Sequence, residues 1–186
     1  MKKNIFAIIG SASANSSNRR LMERIAELAE ADFKINIFDA LSELPHFDPE
    51  LSIHQPPREI QKFRAEILNA DGIIICTPEY VFSIPSRLKN AIEWCVATTV
   101  FSEKPLGIIT ASSHGLKGHE ELKLIMKTIE ARFTDQTTLL IQGIKGKIEG
   151  KRNLFDLKTE ESLIKFIESF KDLLKDTARL HGLRAG

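Results

Sequence analysis

The chain has 186 residues, of which 42% are hydrophobic and 27% are charged, and its formal net charge is +1. This composition is typical of a soluble globular domain, and the near-neutral charge excludes a global field that attracts nucleic acid or an anionic membrane. No apolar run approaches the roughly 18 residues needed to span a bilayer. The apolar stretch 5–9 is too short for a signal peptide, so we interpret it as a strand. We therefore expect a single domain over residues 1–186 in the cytoplasm, with no nucleic-acid or membrane partner.

The cysteine and histidine positions do not favour a metal site. Cys76 and Cys95 lack metal-ligand spacing, and we expect both to be buried free thiols in a reducing compartment. His114 and His119 are five residues apart rather than the four that place two ligands on one helical face. The sequence therefore predicts no bound metal.

Strand and helix patterns alternate along the whole chain. Short apolar or alternating runs predict strands over residues 5–9, 33–38, 72–76, 106–110 and 137–141. Apolar residues at helical spacing predict a first helix over 17–31, and residues 39–54 are expected to form a long loop. Residues 143–152 favour either a solvated loop or a flap beside an anionic ligand.

Four further helices follow from apolar stripes at the same spacing. Ser83 and Thr159 are predicted N-caps, while Pro57 and Pro85 suit the first turns of two helices. The stripes are Ile60, Phe63, Ile67 and Leu68; Leu88, Ala91, Ile92 and Cys95; Leu122, Ile125, Met126 and Ile129; and Leu163, Ile164, Ile167, Phe170 and Leu174. The alternation predicts an α/β sandwich of three layers, with a five-stranded parallel sheet between helices. We expect the strand order 2-1-3-4-5, in which strands one, three and four are neighbours.

The loop after the first strand has the composition of a phosphate cradle. Hydroxyl and amide side chains crowd the turn into the first helix, whose N-terminus presents free N–H groups and partial positive charge. The alternative is a flexible turn with redundant N-capping residues. Neither Gly-x-Gly-x-x-Gly nor Gly-Lys-Ser/Thr is present, so a monophosphate fits better than a pyrophosphate. The candidate phosphate-binding residues are Ser11, Ser13, Ser16, Ser17 and Asn18.

The loops after the third and fourth strands suit a flat ring. The third carries two aromatic residues between a rigid start and end, and the fourth is rich in small residues that allow close approach to the backbone. The alternatives are a capping turn whose aromatics pack in the core or at a subunit interface, and a surface histidine. The candidates are Pro78, Glu79, Tyr80, Val81 and Phe82 in the third loop, and Ser112, Ser113, His114 and Gly115 in the fourth. Carboxyl ends of parallel strands meet at one sheet edge, so phosphate and ring sites together indicate a flavin-type mononucleotide.

These motifs resemble those of the flavodoxin-like NAD(P)H-dependent FMN reductases, which include azo-dye, quinone and chromate reductases. The first loop resembles the family's first-loop pattern at four positions, which are Gly10, Ser11, Ser16 and Asn18. The third-loop pattern is matched by Pro78, Glu79, Tyr80, Ser83, Pro85, Leu88, Lys89, Asn90, Ala91 and Trp94. The resemblance covers roughly residues 4–132. Three positions depart from the family pattern: Ser13 replaces a phosphate-binding Arg, Val81 replaces an Asn, and Ser86 replaces a Gly.

The resemblance implies a flavodoxin-like domain that binds FMN and takes electrons from NADPH or NADH. The acceptor would be a quinone, an azo compound, a metal oxyanion or free flavin, and no catalytic side chain is required. The alternatives are a flavodoxin-type electron carrier and a flavin-free structural or regulatory member of the family. The resemblance also implies a homodimer or homotetramer, with Tyr80, Phe82, Arg87 and Trp94 as interface candidates.

Overall fold

Five parallel strands form the centre of the structure, a computed structural model that describes residues 1–13, 16–149 and 154–184. The sheet order is β2-β1-β3-β4-β5, as predicted. Its strands are β1 (Lys3–Ile9), β2 (Phe33–Phe38), β3 (Gly72–Thr77), β4 (Leu106–Ser112) and β5 (Thr138–Gln142). Antiparallel β6 (Ile148–Glu149) and β7 (Leu154–Phe155) form a separate short ribbon.

Helices cover both faces of this sheet. They are α1 (Ser17–Leu28), α2 (Pro49–His54), α3 (Arg58–Asn69), α4 (Ser86–Glu93), α5 (Leu116–Thr128) and α6 (Leu157–Arg184). Short 3-10 turns occupy Leu41–Glu43, Asp135–Thr137 and Ile144–Lys147. The last turn and the β6–β7 ribbon lie within or beside the predicted loop 143–152, and residues 150–152 of that loop lie outside the described part of the chain.

The continuous apolar strands are explained by burial on both sides. Alternate residues of a strand face opposite sides of the sheet. Ile73 and Ile75 of β3 therefore pack with α3, α4 and α5, while Ile74 and Cys76 pack with α1 and α6. These two cores make the three-layer architecture that the alternation of strands and helices predicted.

Several predicted boundaries were wrong. The helix α1 ends at Leu28 rather than residue 31, because the Phe33 N–H donates to the Ala29 carbonyl and turns the chain into β2. The predicted loop 39–54 contains α2, since the Asp48 carboxylate accepts N–H bonds from the helix's first turn. Leu68 and Ile164 are exposed rather than buried in the helix stripes.

Both predicted N-cap residues, Ser83 and Thr159, were also wrong. The Ser83 hydroxyl bonds to Glu121 instead of capping α4, and Pro85 occupies the N-cap position of that helix. Pro57 is likewise the N-cap residue of α3. Asp156 accepts the N–H of Thr159 at 2.9 Å, so an aspartate precedes and caps α6.

Cys76 and Cys95 are buried free thiols, as predicted. Burial raises the pKa of both thiols, that of Cys95 to about 12, which keeps them protonated. Within the described part of the chain, no three His, Cys, Asp or Glu side chains are grouped to hold a metal ion. None of the described helices is long and apolar enough to cross a membrane.

Candidate active site

The three loops singled out in the sequence meet at the carboxyl edge of the sheet. They follow β1, β3 and β4, which are neighbours, and hydrogen bonds join them. The Gly10 N–H donates to the Cys76 carbonyl at 2.8 Å, and the Ser112 hydroxyl donates to the Glu79 carbonyl at 3.4 Å. The structure therefore brings the phosphate-type loop and the two ring-type loops to one place.

The serines of the first loop have two different roles in the structure. The buried Ser16 caps α1, because its Oγ accepts the Arg19 N–H at 3.1 Å. The Oγ of Ser11 accepts the Ser13 N–H at 3.3 Å. Among the described residues, the hydroxyls of Ser13 and Ser17 have no hydrogen-bond partner, so both are available to a ligand at the start of α1.

Asn18 lies deeper than a surface ligand contact. Its side chain is 3% exposed, and its amide donates to the Ala111 carbonyl at 3.2 Å. Its Oδ1 lies 3.4 Å from the Cys76 thiol, which donates to it. Asn18 thus joins α1 to the ends of β3 and β4, beneath the predicted phosphate position.

A small cavity adjoins the first loop. Its volume is about 200 Å³, and its lining includes Ser11, Ser13, Arg19, Asp39 and Arg87. Arg19 forms ion pairs with Asp39 and with Glu23, so its charge is already shared with two carboxylates. Arg19 is therefore not a free cation beside the predicted phosphate position, where hydroxyls, backbone N–H groups and the helix N-terminus are the other donors.

A tight, strained turn forms the tip of the third loop. The N–H and carbonyl groups of Tyr80 and Ser83 pair with each other at 2.9 and 3.0 Å. Between them, Val81 and Phe82 have φ angles of 51° and 59°. A β-branched residue is rare in this left-handed region. Val81 is 93% exposed and Phe82 76% exposed, so the turn presents apolar side chains and backbone at the sheet edge.

Two carboxylates join the third loop to α5. Glu79 accepts N–H bonds from Gly115 at 3.2 Å and from Gly118 at 2.8 Å, at the positive end of that helix. In the opposite direction, the Glu121 carboxylate of α5 accepts the Ser83 hydroxyl and the Ile84 N–H. Sequence reasoning missed Glu121 and Gly118, because no motif or spacing pairs them with the third loop.

The fourth loop combines an exposed segment with a buried histidine behind it. Ser113 and His114 are exposed, and Gly115, with a φ of 85°, is the N-cap residue that precedes α5. His119 is buried, and its Nδ1 lies 2.9 Å from the Thr110 hydroxyl. Burial, with help from the nearby Lys123 ammonium, lowers the pKa of His119, which keeps the ring neutral.

Part of the long third-loop motif has a structural role. The Asn90 side chain accepts the Phe47 N–H and donates to the Pro45 carbonyl, which also accepts the Trp94 indole N–H. Trp94 is wholly buried, so its prediction as a subunit-interface residue was wrong. Tyr80, Phe82 and Arg87 are exposed, and their interface role stays a prediction.

The comparisons with known proteins identify the family. The fold is flavodoxin-like, with the strand order 2-1-3-4-5 and the candidate site at its switch point between β1 and β3. The profile of the family described as NADPH-dependent FMN reductase matches residues 3–145, and the chain belongs to this family. The predicted class, an NAD(P)H-using oxidoreductase with FMN as the flavin, is thereby confirmed.

Relatives and solved structures agree with this assignment. A protein of Lactobacillus johnsonii named NADH-dependent flavin reductase subunit 2 is 30% identical over 164 residues, covering 86% of each chain. A 2-hydroxy-1,4-benzoquinone reductase of Burkholderia is 27% identical, covering 95% of this chain and 98% of its own. The structure of the flavoenzyme FerB of Paracoccus denitrificans superposes with a TM-score of 0.77 at 22% identity, covering 94% and 98% of the two chains. That structural likeness supports the fold.

The donor groups of the candidate site fit FMN. The hydroxyls of Ser13 and Ser17, which have no partner among the described residues, suit a phosphate, and the exposed apolar turn suits the face and edge of a planar ring. Gly10 allows the first loop to pack closely against the end of β3, because a Cβ at this position would lie 2.3 Å from the Thr77 Oγ1. The residues present therefore offer both halves of a flavin mononucleotide site.

Proposed function

We propose that the chain is an FMN-dependent oxidoreductase that passes electrons from NADPH or NADH to a small-molecule acceptor. The acceptor classes are a quinone, an azo compound, a metal oxyanion or free flavin. When bound, FMN supplies the hydride and electron chemistry. The observation that carries the proposal is the meeting of the hydroxyl-rich first loop and the exposed third-loop turn at one sheet edge.

The protein's own part is to hold and orient the cofactor. Ser11, Ser13 and Ser17 would bind the phosphate with the N-terminal N–H groups of α1, while Ser16 and Asn18 fix the loop beneath them. Backbone and apolar groups of 78–82 would contact the ring from one side. The segment 112–115, of which Ser113 and His114 are exposed, would contact it from the other.

One substitution separates phosphate binding from folding. We expect Ser17→Asp to weaken FMN binding about tenfold or more, because a carboxylate repels the phosphate. The same carboxylate at the first residue of α1 favours the helix dipole, so the free energy of unfolding should not fall. Ser162→Asp, at a position of α6 that is half-buried like Ser17, is the matched control and should leave FMN affinity unchanged.

The direct test is titration of the purified protein with FMN, followed by flavin fluorescence, with steady-state NADH and NADPH oxidation in the presence of menadione. Saturable binding with turnover supports the proposal. Binding without turnover would identify an electron carrier, and absence of both binding and thermal shift would identify a flavin-free member of the family. Sedimentation with FMN tests the proposed homodimer or homotetramer.

A further inference from the structure

The third-loop turn needs support from outside itself. Val81 and Phe82 have left-handed backbone angles that non-glycine residues rarely adopt, and such conformations persist only where surrounding structure imposes them. The exposed tips of these two side chains gain little from packing. The paired backbone bonds between Tyr80 and Ser83 move with the turn and do not fix its direction.

Glu121 supplies this support at the end of the turn. One oxygen of its carboxylate, Oε2, accepts the Ser83 hydroxyl at 2.7 Å and the Ile84 N–H at 2.9 Å. Bonds to a charged acceptor are short and strong compared with neutral ones. Glu121 is half-buried on α5 and lies outside the loops that contact the predicted ligand.

Glu79 anchors the beginning of the same turn to the same helix. Its carboxylate bonds the Gly118 N–H, and Gly118 lies one helical turn before Glu121. A Cβ at Gly118 would lie 3.3 Å from the Ser83 carbonyl oxygen and from Glu79 itself, so α5 and the loop are in close contact there. The turn is therefore fixed at both ends to one rigid helix.

From this geometry we infer that Glu121 is a positioning residue for the flavin ring, acting through Ser83 and Ile84 without touching the cofactor. The inference rests on the proposed function. Without the carboxylate, the strained turn is free to relax, and the backbone groups of 80–82 leave the position that meets the ring. FMN affinity and the rigidity of the turn should then fall together.

The test compares Glu121→Ala, Glu121→Gln and the control Glu120→Ala. Glu120 is exposed and forms its ion pair with Lys117, so its removal deletes the same charge from the same helix. In flavin-free protein, we expect Glu121→Ala to speed amide hydrogen exchange at Ser83 and Ile84 about tenfold. Its FMN dissociation constant should rise about tenfold, the equivalent of one lost charged hydrogen bond.

Because a single oxygen accepts both bonds, a Gln carbonyl can replace it. Glu121→Gln should therefore keep FMN affinity within about threefold of wild type. Ser83→Ala, which deletes only a hydroxyl, should weaken FMN binding in the wild-type background and add nothing to Glu121→Ala. This second variant preserves the test if Glu121→Ala does not fold.

The outcomes are distinguishable. If wild-type protein binds FMN and Glu121→Ala binds it equally well, the inference is overturned while the proposed function stands. If Gln and Ala weaken binding equally with unchanged exchange, charge alone acts, and the positioning role is overturned. If wild-type protein binds no FMN, both the function and the inference are overturned.

Discussion

Replacing Val81 by Asn should stabilise the protein. The left-handed conformation costs an L-residue about 1–2 kcal/mol, and a β-branched side chain is poorly suited to it. Because Val81 is 93% exposed, its removal forfeits almost no burial. Asn is several-fold enriched in this conformation, so we expect Val81→Asn to raise the free energy of unfolding by about 1 kcal/mol. For a chain of this size, that corresponds to a rise of about 2–4 °C in Tm.

Urea unfolding followed by tryptophan fluorescence measures this change. The chain has a single tryptophan, Trp94, which is wholly buried against Phe47 and so reports on loss of the core. Val96→Asn is the matched control, since Val96 is 60% exposed and is absent from the described residues with positive φ. If Val81→Asn is no more stable than wild type, or gains no more than Val96→Asn, the turn is not strained and the reasoning is refuted.

Two further predictions test the packing behind the site. Gly10→Ala should destabilise the protein by about 1–3 kcal/mol, because its Cβ would overlap Thr77, whereas Gly146→Ala, with nothing within 4 Å, should be neutral in the same denaturation assay. The lowered pKa of His119, caused by burial and by Lys123, means that the unfolded chain binds more protons below about pH 6.5. The free energy of unfolding should therefore fall from pH 7 to pH 5, and His119→Asn should reduce that fall; an identical slope would refute this account.

The parallel three-layer sheet was predictable because each strand is a short apolar run and each crossover carries a helix stripe, but this alternation alone leaves the order of the strands open. The boundaries of the helices were less predictable. Nothing in the hydrophobic pattern shows that Asp48 starts α2, or that Asp156 rather than Thr159 caps α6. Which residue caps a helix depends on where the backbone turns. Several polar residues near a helix start can match the N-cap preference for Ser, Thr, Asp and Asn equally well.

The site was predictable as a set of loops, since strands β1, β3 and β4 end at one edge. Its internal support was not, because Glu121 is 38 residues from Ser83 and is one of two adjacent glutamates on α5. Long-range side-chain contacts leave no periodic signal in one sequence. The left-handed turn was also invisible, since Val81 and Phe82 are residues that propensity assigns to strands.

The residues of the third-loop motif therefore fall into two groups, those that hold the fold together and those proposed to contact FMN. Asn90 and Trp94 donate hydrogen bonds to the Pro45 carbonyl, and Glu79 accepts one from Gly118 of α5. Agreement with the family at these three positions is therefore evidence for the shared fold. In the proposed function, FMN affinity would depend instead on the first-loop hydroxyls that have no partner among the described residues and on the turn, where Ser13 and Val81 depart from the family pattern. A protein can thus keep the whole frame of the reductase while its flavin affinity is set by a few exposed residues. Ser17→Asp tests the first loop without lowering the free energy of unfolding, whereas Val81→Asn changes the stability of the turn itself.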